Sequence, residues 1–304
     1  MRHARRSLAL SFLLSPQLLA AALITGGLYA CVALGLNLIY GTMRLLNIAH
    51  GEIVMLGAYA MYWLVMLTPV GPLPALVLAA GLCGLLGLAL YHGLFSVVLS
   101  SPRMAERIEG NSLLLFFGLS VVLQNVVKLL FTASSRAHQP FPGLYEWGSV
   151  ALVGGRLVAL CVALGVCIGA ALFLRFSVFG LSVRALIQNR EATAIVGVNI
   201  GRLQAGSFVM GFAAAGLAGG LVSLFEQINP FMGFPYTISA FVVIILGGLG
   251  NLMGSLAAGL LLGIVETYGV ALLSANYRSI LLYGVFILIL LVRPQGLFGR
   301  TRPA

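Results

Sequence analysis

The sequence predicts an all-α integral membrane protein, a polytopic helical bundle of about eight transmembrane helices with broken or re-entrant segments. Of the 304 residues, 61% are hydrophobic and 8% are charged, and the mean hydropathy is +1.08. Apolar runs of about 20 residues, the length that crosses a bilayer, recur along the chain. Because lipid offers no hydrogen-bond partner, each run must pair its backbone groups within its own helix. We therefore expect a single transmembrane unit over residues 1–304, with no soluble domain.

The apolar segments follow one another closely along the chain. The first is preceded by basic residues, as in a signal peptide, but it continues to Tyr40 and is too long for a cleaved signal. The four cysteines all lie in apolar segments without C-x-x-C spacing, so we expect packing roles and neither a disulfide nor a metal site. The predicted segments lie near 18–41, 50–68, 73–99, 111–132, 150–174, 204–225, 236–249, 252–273 and 277–292.

The net charge of +10 comes from basic residues in short loops and at the chain ends. Such an excess is typical of the positive-inside rule, and no basic stripe with interleaved aromatic residues suggests a nucleic-acid partner. Clusters at 2–6, 175–202 and 293–302 all favour the cytoplasm. Five apolar segments nevertheless precede the central cluster, an odd number. Either one segment is re-entrant, or the N-terminus lies outside; we favour a re-entrant segment around Asn47–Tyr62.

The central polar segment, residues 175–203, contains the most distinctive pattern of the chain. Within it, residues 181–196 predict a short amphipathic helix that Ser182 caps and Gly197 ends. Such a helix at the membrane surface suits docking of a soluble partner; an interfacial helix without a partner is the alternative. The candidate docking residues are Arg184, Gln188, Asn189, Arg190 and Glu191, of which Arg184, Gln188 and Glu191 share one helix face.

Two glycine-containing segments predict helix breaks. In each, a glycine is followed six residues later by another, Gly51 by Gly57 and Gly248 by Gly254. Interrupted hydrophobic segments in two halves of a chain are typical of broken helices that line a transport pathway, whereas close helix packing through small residues is the alternative. The candidate pathway residues are Asn47, His50, Gly51, Glu52, Gly247, Gly248, Gly250 and Asn251.

Three carboxylates lie in or beside the apolar segments. An ionisable residue inside a membrane bundle is a functional candidate. Glu52 is either such a residue or a favourable charge at a helix N-terminus. Glu226, at the end of a segment, favours solvation at the membrane interface, and Glu266 is a candidate for facing a neighbouring subunit.

Several classes of enzyme lack support in the sequence. The chain contains no aspartate, no G-x-x-x-x-G-K-[ST] loop for nucleotide phosphates, no H-E-x-x-H and no G-x-S-x-G. The four histidines are far apart and give no metal-ligand spacing. We therefore expect no catalytic residue and no metal site, and predict that this chain is not an enzyme.

Five blocks in order closely resemble permease subunits of branched-chain amino acid ABC importers. Family members often carry a lysine where this chain has Ser239, so the resemblance does not determine the substrate. Related importers carry urea, short amides or other amino acids. The blocks are GLNLIYGTMRLLNIAHGEIVMLGAY, SSPRMAERIEGNSLLLFFGLSVVLQNVVKLLF, RALIQNREATAIVGVNIGRLQ with FVMGFAAAGLAGGL, SAFVVIILGGLGNLMGSLAAGLLLGIVETYG, and LVRPQGLFG.

The resemblance implies an assembly in the bacterial inner membrane. Two homologous permease chains would form the pathway, two cytosolic ATPases would bind ATP-Mg, and a periplasmic binding protein would deliver the substrate. This chain itself would bind no cofactor, and residues 175–203 would be its cytoplasmic coupling loop. A secondary transporter is the rival class, but ion coupling usually requires intramembrane carboxylates, which are few here.

Overall fold

The computed structural model describes residues 15–97, 108–148, 150–293 and 296–297. Within these ranges, eight helical stretches are long and apolar enough to cross a membrane, which confirms the predicted polytopic all-α class. The helices are α1 (Pro16–Met43), α2 (His50–Leu67), α3 (Pro72–Leu90), α4 (Ile108–Phe131), α5 (Gly154–Phe176), α6 (Val178–Gln188), α7 (Arg190–Ile195), α8 (Ile200–Ser223), α9 (Gly233–Gly247), α10 (Leu252–Leu272) and α11 (Arg278–Val292).

Short elements complete the described chain. A π-helical turn (Tyr91–Phe95) extends α3, and a 3₁₀ turn (Ala275–Tyr277) precedes α11. An antiparallel hairpin of β1 (Leu144–Trp147) and β2 (Val150–Val153) connects α4 to α5. The predicted segment at 236–249 corresponds to α9, which has only 15 residues and is not among the eight stretches long enough to cross a membrane.

Helix α1 lies at the centre of the bundle and is buried along most of its length. Glycines bring two neighbouring helices against its backbone. A Cβ added to Gly26 would lie 2.9 Å from the Cα of Leu260 in α10, and one added to Gly35 would overlap the carbonyl oxygen of Gly211 in α8. Small residues at such crossings permit the close helix packing that stabilises membrane bundles.

The two ends of α1 define two faces of the bundle. At its start, Gln17 exchanges two hydrogen bonds with the backbone of Ala151 in β2, of 2.8 and 2.9 Å. At its end, the carbonyl of Thr42 accepts a 3.2 Å bond from the amide of Gln204, at the start of α8. We call these the hairpin face and the loop face; α6 and α7 lie on the loop face, where Ile187 contacts Gly41.

This arrangement corrects the predicted topology. Residue 15 and the central loop lie on opposite faces, so the prediction that the N-terminal end shares the side of the loop is wrong for the described chain. The arginines at positions 2, 5 and 6 lie outside the described residues. The odd number of segments before the loop needs no re-entrant segment around Asn47–Tyr62, since His50–Leu67 forms an 18-residue helix that is long enough to cross a membrane.

Thiol labelling tests this two-faced topology. In a Cys161→Ser background, which removes the one exposed native cysteine of the described residues, we expect Tyr145→Cys and Gln188→Cys to react with a membrane-impermeant maleimide from opposite sides of sealed vesicles. Both side chains are exposed, one on the hairpin and one at the end of α6. Labelling of both from the same side would contradict the arrangement.

Candidate functional site

The first break lies between α1 and α2 and earlier than predicted: residues 44–49 are non-helical, whereas His50, Gly51 and Glu52 already form the first turn of α2. Helix α1 ends at Arg44, whose φ of 56° is left-handed, and residues 44–47 have no regular structure. The chain then turns back into the bundle, and the Nε2 atom of His50 lies 3.0 Å from the carbonyl oxygen of Val32, in the middle of α1. Helix α2 therefore begins inside the bundle, as a broken membrane segment does.

Three polar side chains of this first break carry buried atoms without a hydrogen-bond partner. Both amide atoms of Asn47, the Nδ1 of His50 and the Oε2 of Glu52 are in this state among the described residues. All three residues are at most 1% exposed. Unpaired buried polar atoms are rare and costly in proteins. Their concentration here identifies the first break as a candidate site for a polar solute.

Helix α9 begins against this first break. The Thr237 hydroxyl accepts a 2.9 Å bond from the backbone N–H of Gly51 and lies 3.0 Å from the carbonyl oxygen of Ile48. A Cβ at Gly233 would lie 2.5 Å from the Glu52 carboxylate, so a larger residue there would displace the Glu52 side chain.

The Glu52 carboxylate contacts residues of other helices. Its Oε1 accepts a 3.2 Å bond from Ser120 of α4, and no side-chain cap closes the N-terminus of α2. The geometry thus favours a role in the bundle interior over simple capping.

The second predicted break lies at the other end of α9. Gly248 and Gly250 have φ values of 88° and 81°, which L side chains rarely adopt. The side chain of Asn251 caps α10 by accepting a 3.0 Å bond from the N–H of Gly254. Both glycines thus allow the chain to leave one helix and begin the next within a few residues.

Asn37 of α1 holds this second break in place. Its Oδ1 accepts a 2.7 Å bond from the N–H of Gly250, and its Nδ2 donates to the carbonyl of Asn251 at 3.0 Å and to the hydroxyl of Ser255 at 2.6 Å. Asn37 is fully buried. Sequence reasoning missed this residue because its partners lie more than 200 positions away.

The two breaks are joined by α9 and lie at different heights on α1. The first reaches Val32, whereas the second is bound to Asn37 and Gly41. Gly250 packs between Gly41 and Ile187 of α6. The structure therefore brings the second break to the loop face and places α9 between it and the first break. A substrate route between the two breaks stays a prediction.

The central segment differs from the single helix that the sequence predicted. Helix α6 begins at Val178, three residues before the predicted start at residue 181, because Ser177 rather than Ser182 caps it. Asn189 ends α6 and caps α7 with a 3.0 Å bond to the N–H of Ala192. Gly197, with a φ of 84°, follows α7 as expected. The segment is thus two helices with a bend between them.

Arg184 makes a contact within the chain that was not predicted. Its guanidinium donates to the carbonyl oxygens of Leu174 and Arg175, at the end of α5. It therefore holds α6 against α5, and the bend at Asn189 places it on a different helix from Glu191. All five predicted docking residues are exposed: Arg184, Gln188, Asn189, Arg190 and Glu191.

A buried ionic cluster on the hairpin side was not predicted. Glu266, 4% exposed, accepts bonds from Tyr29 at 2.6 Å and from Arg278 at 2.5 Å. Glu266 thus pairs within its own chain and does not need a neighbouring subunit. Glu226 is exposed and accepts a 3.1 Å bond from Tyr236, in keeping with the predicted solvation. Among the described residues, no three His, Cys or carboxylate groups are placed to hold a metal ion.

Comparisons with known proteins identify the relatives of this chain. Residues 18–290 match the family model described as the branched-chain amino acid transport system permease component. The high-affinity branched-chain amino acid transport system permease protein LivH of Escherichia coli K12 is 32% identical over 90% of this chain and 92% of its own length. Protein BraD of Pseudomonas aeruginosa is 31% identical, with 93% and 95% covered.

A second type of permease is also similar. The permease protein LivM of Escherichia coli K12 is 25% identical over 91% of this chain and 69% of its own length. No solved structure matches the chain.

Replacing Asn37 tests whether it holds the second break. Asn37→Leu keeps the side-chain size but leaves the N–H of Gly250 without its partner. Each buried group left unpaired costs about 1–3 kcal/mol, so we expect a lower midpoint of thermal unfolding in detergent. Asn125→Leu is the matched control, since Asn125 is exposed and bonds only within its own helix. Equal midpoints for the two variants would contradict the role of Asn37.

Proposed function

The chain belongs to the family of permease components of branched-chain amino acid transport systems, and on that premise we propose that it forms half of the membrane pathway of an ATP-driven importer in the bacterial inner membrane. The cargo is a branched-chain or related amino acid, delivered by a periplasmic binding protein. ATP-Mg is bound and hydrolysed by two separate cytosolic ATPase subunits. The observation that carries this proposal is the family match over residues 18–290, in a bundle whose loop face presents an exposed pair of short helices.

A second permease chain completes the pathway in this proposal. Escherichia coli K12 has two distinct relatives of this chain, LivH and LivM, both named as permease proteins of the same transport system. Helices α4 and α11 support pairing, because large apolar side chains cover their outer surfaces; Leu129 is 84% exposed and Leu291 79%. Such surfaces belong against lipid or against another membrane helix. A pair of permeases therefore fits both the relatives and the unburied helices.

The exposed surface of α6 and α7 is the proposed docking site for an ATPase. It combines the polar residues Gln188 and Glu191 with Ile195 and Val196, which are 85% and 74% exposed. Large apolar side chains beside polar ones suit a protein interface, in which an apolar centre is surrounded by a polar rim. Arg184 supports this surface from behind by tying α6 to α5.

Contacts between α6 and the second break provide a route for coupling. Ile187 of α6 packs against Gly41 and Gly250, so a displacement of α6 acts directly on the end of α1 and on the second break. Helix α9 begins four residues before Thr237, whose hydroxyl bonds to the first break. Movement at the loop face is thereby transmitted along α9 to Asn47, His50 and Glu52.

The first break is the proposed passage for the substrate within this chain. An amino acid that leaves water needs replacements for the hydrogen bonds of its charged ends. Asn47, His50 and Glu52 supply buried polar atoms that are not otherwise engaged. Gly51 and Gly233 allow α2 and the start of α9 to approach closely, which brings the Glu52 carboxylate against α9.

Reconstitution tests the proposed function. We expect this chain, a LivM-like permease and the ATPases encoded with it to copurify and to take up leucine into proteoliposomes when ATP is enclosed and the binding protein is added outside. ATP hydrolysis should rise on addition of the substrate-loaded binding protein. Uptake that persists without ATP would identify a secondary transporter, and ATP-driven uptake of urea or a short amide alone would overturn the proposed substrate.

Glu191→Ala tests the docking surface. Glu191 is exposed and forms no ion pair among the described residues, so its loss should change stability by no more than about 1 kcal/mol. We expect normal amounts of the variant in the membrane but less leucine uptake per ATPase complex. Glu146→Ala, an equally exposed change on the opposite face, should transport normally. Absence of the Glu191 variant from the membrane would show a structural role instead.

A further inference from the structure

A cavity of about 340 Å³ opens between α1, α9, α11 and the residues before α9. It lies near the hairpin face, since Ile228 pairs with Arg136, in the connection from α4 to the hairpin. Its walls are both charged and apolar. They include Tyr29, Glu226, Met232, Ser239, Arg278 and Leu282.

Hydrogen bonds fix the orientation of the Arg278 guanidinium, but they use only part of its donors. Its Nε donates to Glu266 at 2.5 Å and its Nη2 contacts the hydroxyl oxygen of Tyr29 at 3.3 Å, while Tyr29 donates to the second oxygen of Glu266 at 2.6 Å. None of these bonds uses the Nη1 amino group of Arg278. The Arg278 side chain is 49% exposed, against 5% for Glu266. The guanidinium therefore presents donors to the cavity while Glu266 lies behind it.

Glu226 supplies the opposite charge on another wall of the same cavity. Its side chain accepts one hydrogen bond, from Tyr236. In the described part of the chain, the only ion pair within 4.0 Å is that of Arg278 with Glu266. Glu226 and Arg278 thus line one cavity without forming a direct ion pair with each other.

We propose that this cavity binds the head group of the incoming α-amino acid, with its carboxylate on Arg278 and its ammonium on Glu226. This inference rests on the proposed function and assigns a site to its substrate. Guanidinium and carboxylate form strong, charge-assisted hydrogen bonds, and the two charges of a zwitterion need two opposite partners. Met232 and Leu282 offer apolar walls to an aliphatic side chain. The volume is within the usual range of small-molecule sites, about 300–1,000 Å³.

The cavity adjoins the first break in space through the start of α9. Met232 lines the cavity, and the next residue, Gly233, packs on Glu52. Ser239 lines the cavity from α9, two residues after Thr237, which bonds to Gly51. A head group in the cavity is therefore separated from the proposed passage only by the first turns of α9. The cavity acts as the receiving site on the hairpin face.

Uptake by the complete importer in proteoliposomes tests the proposal. Glu226→Gln keeps the size and removes the charge at an exposed position, so assembly and the ATP hydrolysis that the loaded binding protein stimulates should persist. We expect leucine uptake per ATP hydrolysed to fall roughly tenfold, the effect of losing one charged hydrogen bond. Glu226→Asp, which keeps the charge, should recover most of it. Glu146→Gln, on the exposed hairpin strand, is the matched control with wild-type uptake.

Arg278→Gln and Arg278→Lys form the second arm. The first should also reduce uptake per ATP, and lysine should restore part of it, because it returns a cation without the planar fork. Wild-type uptake per ATP in Glu226→Gln would overturn the proposal. Equal losses of uptake and of stimulated ATP hydrolysis would also overturn it, since the cavity would then serve docking of the binding protein. Failure of the wild-type importer to transport any amino acid would instead overturn the proposed function and this site with it.

Discussion

The pairing of backbone groups inside an apolar bundle is the constraint on which this structure depends. A helix satisfies its own groups, but a chain that leaves the helix within the membrane must find partners elsewhere. Here α1 supplies them: Asn37 binds the second break, the carbonyl of Val32 lies against His50, and the carbonyl of Thr42 binds Gln204. A single central helix thereby fixes where both broken segments and α8 begin, and so where the proposed passage lies.

The hydropathy pattern of the sequence predicted the helices well, because apolar length alone decides whether a segment can cross a bilayer. The second break was also recognisable, since glycine at 248 and 250 is required by positive φ values. Gly51 and Gly57 instead lie within α2 and allow close packing on α9 and α8. The face of the bundle on which residue 15 lies could not be predicted. Counting arginines gives no information on which helix ends lie together. The bond between Gln17 and Ala151, 134 positions apart, settles that question and has no local signature.

The details of the candidate site were harder to predict for the same reason. Ser182 and Ser177 are equally good caps by residue type, and only the packing of α6 against α5 selects Ser177. Arg184 is exposed as expected, yet its guanidinium also bonds to carbonyl oxygens at the end of α5. The cluster of Tyr29, Glu266 and Arg278 joins residues 237 and 249 positions apart. Helical periodicity contains no information on such pairs.

The contact between α1 and α10 has a consequence for how the bundle deforms. Gly26, Gly259 and Gly263 place backbone against backbone, with Ala22 and Ala30 as the neighbouring small residues. Helices that interlock through large side chains must withdraw each one from its hole before they can shift. A smooth interface of this kind offers no such obstacle, and it suits the small sliding displacements known as shear motions. The same glycines that allow close packing of α1 and α10 therefore also provide an interface along which the two helices can slide.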